Sequence, residues 1–270
     1  MIVDGRAIAD AIYGALKERG ARLPHPPKLG ILVGKSDPVI ESFVRIKMKA
    51  ADALGVSIIG EDMAEGATNA DVIAAVARLC ERTDGVIVQL PLPREFDTET
   101  ILAAIANDRD VDAINPSIVV ANKLTVAPVA LAVLEILARA SIDPKGKRAV
   151  VIGAGRLVGA PSAALLASHG AQVSMVTLES GSLDDLKDAD IVVSGAGQPG
   201  LITPEMLKAG VALIDAGTSE SAGKVVGDCD PACAEKASVY TPVPGGVGPI
   251  AVAMIFKNLF DLIEQRNARS

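Results

Sequence analysis

Arg148–Gly159, RAVVIGAGRLVG, decides the fold. Arg148 to Ile152 is a short apolar, β-branched run of the kind that forms a buried strand, and Gly153, Gly155 and Gly159 follow it as G-x-G-x-x-x-G. Leu157 to Ser168 then reads as a helix and Ala171 to Leu178 as a second strand. Glycines between a strand and a helix allow a tight turn. They also let a pyrophosphate approach the helix N-terminus, where free N–H groups and the helix dipole favour an anion. Ala154 and Arg156 complete the loop, and Glu179 stands past the second strand. A carboxylate there accepts hydrogen bonds from adenine-ribose hydroxyls and repels a 2′-phosphate. Dinucleotide binding is the expectation, with a purely structural turn as the alternative.

The alternation continues on both sides. Downstream lie the strand Ile191–Ser194, the glycine-rich stretch Gly195–Gly200, the strand Val211–Asp215 with Gly217 beyond it as a further cofactor-side candidate, and Val239. Upstream, helices are expected over Ile8–Leu16, Ile40–Leu54 (closed by Gly55), Asn69–Cys80 (capped by Asn69) and Pro128–Ala140, with strands over Lys28–Val33, Val56–Ile59 and Gly85–Gln89. Strands alternating with helices predict an α/β fold with parallel sheets. At 270 residues, two domains are expected, divided along the Pro128–Ala140 helix.

Composition agrees. Half of the residues are hydrophobic but only 2% are aromatic, so the cores are built from Ala, Val, Leu and Ile. A net charge of −7 argues against a protein organised to neutralise nucleic-acid phosphates. No apolar run is long enough to span a bilayer and no charged-then-apolar leader opens the chain, so a cytoplasmic location is expected. Cys80, Cys229 and Cys233 lack the ligand partners of a zinc site, and free thiols with no metal are expected.

Four stretches carry candidate chemistry. Lys47 lies one helical turn after Phe43, and a lysine among apolar neighbours has its ammonium desolvated and made fit for proton transfer; a snorkelling surface lysine is the alternative. Gln89 ends a strand, where ligands bind in such sheets; its amide either orients a polar ligand or caps the turn. Asp108–Pro116, DRDVDAINP, is acidic and turn-prone, with Asp110 and Asp112 as ligand-facing groups or plain turn residues. Thr241–Pro249, TPVPGGVGP, holds three prolines, three glycines and no charge; it reads as a loop that either admits a flat ligand or merely connects.

Together these stretches resemble the bifunctional methylenetetrahydrofolate dehydrogenase/methenyltetrahydrofolate cyclohydrolase family. The matching pieces are VDGRAIA, LVGKSDP with FVRIKMKA, VIVQLPLP, DRDVD, AVVIGAGRLVGAP, ADIVVSGAGQPG and TPVPGGVGP, in the family's order and over nearly the whole chain. The resemblance implies a catalytic domain over residues 1–131, completed by 249–270, and a Rossmann dinucleotide-binding domain over 132–248. It implies a folate site in a cleft between them, a homodimer, and the C-terminal helix returning to the first domain. It puts the family's catalytic lysine on Lys47, its folate-site glutamine on Gln89 and its pterin-binding aspartate on Asp112. Phe43 would stack on the folate, and Pro244, Gly245 and Gly246 would let the folate and nicotinamide rings approach. The implied reactions are oxidation of 5,10-methylenetetrahydrofolate by hydride transfer to NAD or NADP, and hydrolysis of the methenyl product to 10-formyltetrahydrofolate. A dehydrogenase-only relative, one acting on a related C1 carrier, and a non-catalytic folate- or nucleotide-binding paralogue are the alternatives.

The chain departs from the family pattern at defined places. The family tyrosine before the lysine is Phe43, and the serine three residues earlier is Ile40. Its Gly and Phe-His after the aspartate are Ala113, Ile114 and Asn115; its Thr-Pro is Ala127–Pro128; and its Met-Thr after the proline-glycine loop is Ile250–Ala251. In the cofactor loop the common Arg-Ser is Ala154–Gly155, and a basic residue past the second strand aligns with Glu179. Both of these last changes remove groups that hold a 2′-phosphate, so NAD is expected over NADP, with Arg156 as a partial compensation.

Overall fold

The computed structural model describes residues 1–23, 25–34, 38–177, 179–221 and 224–269, without the side chains of residues 38–40, 42, 43 and 221. In chain order the elements are α1 (Gly5–Gly20), β1 (Lys28–Val33), α2 (Pro38–Leu54), β2 (Ser57–Asp62), α3 (Asn69–Arg82), β3 (Gly85–Gln89), α4 (Thr98–Ala103) and α5 (Pro128–Arg139). There follow β4 (Arg148–Ile152), α6 (Gly159–Ser168), β5 (Gln172–Val176), β6 (Ile191–Ser194), β7 (Ala212–Asp215), β8 (Ser219–Ser221), β9 (Lys224–Val226), β10 (Val239–Tyr240) and α7 (Val247–Asn267). The chain forms two units: residues 11–126 with 255–270, and residues 1–10 with 127–254. α1 and α7 each run from one unit into the other. The two-domain α/β fold expected from the sequence is present.

The first unit is built on a three-stranded parallel sheet in the order β2-β1-β3. β1 (KLGILV) and β3 (GVIVQ) are almost wholly buried, as parallel strands covered by helices must be. Beside β3 the chain at 109–111 runs parallel to it, bridging Val86 to Asp110, with Val86 N–H donating to the Arg109 carbonyl at 2.7 Å. Gly85 makes that approach possible. A Cβ there would lie 2.4 Å from Val111 Cγ1 and 2.8 Å from Leu259 Cδ1. The far half of α7 packs into this unit through Phe256, Leu259, Phe260 and Ile263, one helical face, all buried. Arg19 of α1 pairs with Asp261 at 2.7 Å and Glu264 at 2.9 Å and lies 5.8 Å above the Phe260 ring, so the C-terminal helix is fixed to the first domain as expected.

The second unit carries a five-stranded parallel sheet in the order β10-β7-β6-β4-β5. From β4 the chain goes to β5 on one side and then to β6 on the other, so the topological switch point lies between β4 and β6. Residues 1–3 extend the sheet beyond β10: Ile2 bridges Tyr240, and Val3 N–H donates to the Tyr240 carbonyl at 2.8 Å. β8 and β9 form a small antiparallel hairpin with no counterpart in the expected strands.

Two local expectations need correction. The cap of α3 is Thr68, not Asn69: Thr68 and Asp71 exchange side-chain-to-backbone bonds as a capping box. Asn69 instead accepts from Asp97 N–H at 2.9 Å. The proline-glycine stretch is not loop to its end, because Val247, Gly248 and Pro249 are the first turn of α7. Proline is tolerated there since its missing N–H has no intrahelical acceptor to lose. Among the described residues no helix is long and apolar enough to cross a membrane.

Candidate active site

α2 inverts the usual pattern of an amphipathic helix. Lys47 is buried on the face it shares with Ala50, Ala51 and Leu54, whereas Ile46 and Met48 are about half exposed at 47% and 48%. Its Nζ donates to Gln89 Oε1 at 2.7 Å, and Gln89 Nε2 donates in turn to the Leu90 carbonyl at 2.9 Å. The Gln89 amide is thereby held in one orientation, its oxygen toward the lysine. Gln89 is also buried, at the carboxyl end of β3 where it pairs in register with Val33. Burial pushes the Lys47 ammonium below its ordinary pKa, and the Asp112 charge offsets part of that.

Asp112 comes close enough to Lys47 for their charges to interact; its segment runs along β3, and it follows the Val86–Asp110 bridge by two residues. Burial pushes its carboxyl up to about 6; Lys47 pulls it down and Asp110 pushes it further up. Asp110 is held differently. It is 1% exposed and accepts from Ile114 N–H at 3.0 Å and Asn115 N–H at 2.8 Å, closing a turn in which Ala113 has φ 54°. Asp110 is therefore the structural carboxylate of the pair. The turn is fixed by side chains the sequence reading passed over. Lys123 Nζ donates to the carbonyls of Ala113 and Asn115, Thr125 Oγ1 donates to the Asp110 carbonyl at 2.6 Å, and Asn258 Nδ2 donates to the carbonyls of Val111 at 2.8 Å and Val126 at 2.7 Å.

The structure thus brings Lys47, Gln89 and Asp112 together within the first unit. The side chain of Phe43, expected one turn before Lys47, lies outside the described residues. The remaining candidates belong to the second unit. There the first and last glycines of the loop are needed for packing: a Cβ on Gly159 would stand 1.8 Å from the Gly153 carbonyl oxygen, and Gly153 itself has φ 91°. The middle glycine is different, for a Cβ on Gly155 would meet nothing within 4 Å. No side chain caps the start of α6, and Ala154, Gly155 and Arg156 are exposed. A tight turn, an uncapped helix N-terminus and open space at the central glycine suit a pyrophosphate. Glu179 is exposed past β5, its N–H donating to Thr177 Oγ1 at 3.3 Å.

In the same unit Gly217 is buried against Asp228, whose carboxylate a Cβ would meet at 2.3 Å. Pro244 is exposed, Gly245 has φ 106°, and Gly246 N–H donates to the Pro242 carbonyl at 2.8 Å. This loop packs on the start of α1, where a Cβ on Gly5 would stand 1.8 Å from the Gly246 carbonyl oxygen. The three cysteines are free, as expected.

Comparison with known proteins agrees over the whole chain. Residues 3–112 match the family model described as "Tetrahydrofolate dehydrogenase/cyclohydrolase, catalytic domain", and residues 127–267 match "Tetrahydrofolate dehydrogenase/cyclohydrolase, NAD(P)-binding domain". A relative named "Bifunctional protein FolD" from Staphylococcus aureus is 38% identical, over 95% of this chain and 94% of its own. Among solved structures, methylenetetrahydrofolate dehydrogenase-cyclohydrolase from Trypanosoma brucei, complexed with NADP and an inhibitor, superposes with a TM-score of 0.93. It is 35% identical, over 100% of this chain and 99% of that one. The bifunctional enzyme from Campylobacter jejuni also gives 0.93, at 31% identity over 98% and 99%.

Proposed function

The chain belongs to the tetrahydrofolate dehydrogenase/cyclohydrolase family, and from that premise we propose how its own residues divide the work. It is an enzyme that oxidises 5,10-methylenetetrahydrofolate to the 5,10-methenyl form and hydrolyses the methenyl form to 10-formyltetrahydrofolate, with a nicotinamide dinucleotide as cofactor. The observation that carries the assignment of roles is the buried 2.7 Å bond from Lys47 to Gln89. A lysine held this way keeps one donor fixed and presents the rest of its ammonium to the substrate. Its lowered pKa suits it to take a proton and return it.

When bound, the dinucleotide supplies the hydride acceptor, C4 of the nicotinamide ring. In the first reaction Lys47 and Gln89 orient the folate so that its methylene carbon faces that acceptor. In the second, water adds to the methenyl carbon and loses a proton; the bond from that carbon to N5 then breaks as N5 gains a proton and the new hydroxyl gives one up to become the formyl carbonyl, so one proton is released overall. Lys47 manages these protons and Gln89 helps to place the reacting group. Asp112 binds the pterin. Gly153, Ala154, Gly155, Arg156, Gly159 and Gly217 hold the dinucleotide, and Pro244, Gly245 and Gly246 give the rings room to approach. On family likeness we also take the protein to be a cytoplasmic homodimer.

The Asp112 role has a pH signature. Its carboxyl titrates near 6, so it is ionised and able to accept pterin N–H groups above that pH and protonated below it. kcat/KM for the folate is expected to fall about tenfold per pH unit below 6. Asp112→Asn should flatten that limb at a low level; a variant that kept the inflection would remove Asp112 from this role. The stability effect has the opposite sign. A carboxyl whose folded pKa is raised stabilises the fold when protonated, and that contribution is lost as pH rises through about 6.

The cofactor is proposed to be NAD rather than NADP. The support is the absence of a basic side chain at Ala154 and Gly155 and the exposed carboxylate of Glu179 past β5. Steady-state rates with both dinucleotides decide it: kcat/KM is expected to be higher with NAD, and the reverse order overturns the choice.

A further inference from the structure

The second unit buries two carboxylates that the proposed chemistry does not use, Asp215 at 1% exposure and Asp228 at 0%. Among the described residues neither pairs with a lysine or arginine; they are satisfied by backbone N–H groups and one hydroxyl. Asp228 Oδ2 accepts from Ser194 Oγ at 2.6 Å and Ala196 N–H at 2.8 Å, and its Oδ1 accepts from Gln198 N–H at 2.8 Å. Asp215 Oδ1 accepts from Gly217 N–H at 3.0 Å and Asp228 N–H at 3.1 Å, and its Oδ2 accepts from Cys229 N–H at 2.8 Å. Asp215 thus holds the backbone of Asp228, and Asp228 holds the loop after β6. The fit leaves no slack: a Cβ on Gly227 would stand 2.1 Å from Asp215 Oδ2.

That loop lies at the switch point. β4 and β6 are neighbours, Gly195 N–H donates to the Ile152 carbonyl at 2.9 Å, and a Cβ on Gly153 would stand 2.7 Å from the Gly195 carbonyl oxygen. Residues 195–198 therefore face the glycine turn across the crevice in which a doubly wound sheet binds its ligand. A buried carboxylate is costly in an apolar core unless hydrogen-bonded on every side, and here it has three donors whose placement it dictates.

We propose that Asp228 is a positioning residue for the dinucleotide, fixing residues 195–198 as the wall opposite the phosphate turn, with Asp215 as its backbone support. The inference rests on reading that turn as the cofactor site. In Asp228→Asn one carboxylate oxygen becomes an NH₂ group that faces a backbone N–H, so at least one tie to the loop becomes a donor–donor contact.

The test measures dehydrogenase kinetics, cyclohydrolase kinetics and direct titration with NAD and NADP on the full-length protein and its variants. In Asp228→Asn the dinucleotide KM and Kd are expected to rise about 10- to 100-fold, the loss of one charge-assisted hydrogen bond, with a smaller change in kcat. Cyclohydrolase activity should stay within about twofold, since it needs no dinucleotide. Ser194→Ala removes a donor without inverting one; it should shift KM the same way by less, and it decides the matter if Asp228→Asn does not fold. An unchanged dinucleotide KM, or parallel loss of both activities in a folded variant, overturns the proposal. Wild-type protein that binds neither dinucleotide would instead overturn the assignment of the cofactor site.

Discussion

Lys47→Met is expected to lower the cyclohydrolase kcat by about 10²- to 10⁴-fold, the usual contribution of a positioned proton-transfer group. Methionine keeps the length and apolar stem of the side chain, so the face shared with Ala50, Ala51 and Leu54 remains filled. It removes the donor to Gln89 Oε1 and the charge that offsets Asp112. Two readouts isolate the chemistry from the packing. The melting temperature should not fall sharply, because an apolar group in place of a buried ammonium relieves desolvation even as it frees the Gln89 oxygen. The low-pH limb should move upward, because Asp112 loses the cation that lowers its pKa. Full cyclohydrolase activity in the variant would remove Lys47 from the proton path.

Gly159→Ala is expected to raise the dinucleotide KM by about 100-fold or more while sparing hydrolysis of the methenyl substrate. The new methyl would stand 1.8 Å from the Gly153 carbonyl oxygen and 2.7 Å from its carbon, and both are backbone atoms that cannot swing aside. α6 must slide away from β4. The strain is of the order of the ~1–3 kcal/mol typical of overpacked cores, and the phosphate turn loses its shape. Gly155→Ala is the control, because its Cβ would meet nothing within 4 Å and the free protein should keep its stability. Dinucleotide titration and thermal melts of the two variants, side by side, check the pair. A near-normal KM for Gly159→Ala would show that the turn does not position the cofactor.

The sequence disclosed the elements whose signals are local. β4, its glycine turn and α6 follow from an apolar run, glycines and helical spacing, and β1, β3 and β6 end where their apolar runs end. Lys47 was legible as a lysine among apolar residues, but its inward direction was not. Only the packing of α2 shows that Ile46 and Met48 face out instead. The hairpin β8–β9 escaped because SES and KVV carry neither alternation nor a standard turn pair. Asp215 and Asp228 escaped for another reason: acidic residues near glycines read as solvated turns, and nothing local says that backbone N–H groups will surround them. Ala113 is a similar case. Its φ of 54° favours glycine, and the supports that hold it, chiefly Lys123, come from farther along the chain.

Asn258 ties the Val111 and Val126 carbonyls from 147 and 132 residues away. This gives the catalytic unit a timetable during translation. At about 5–20 residues per second, roughly 7–26 s pass between the emergence of Val126 and of Asn258. Throughout that interval the segment bearing Asp112 has one face unsupported, while every residue of the phosphate turn has time to be made and packed. The phosphate turn can therefore be formed before Asn258 closes the segment bearing Asp112.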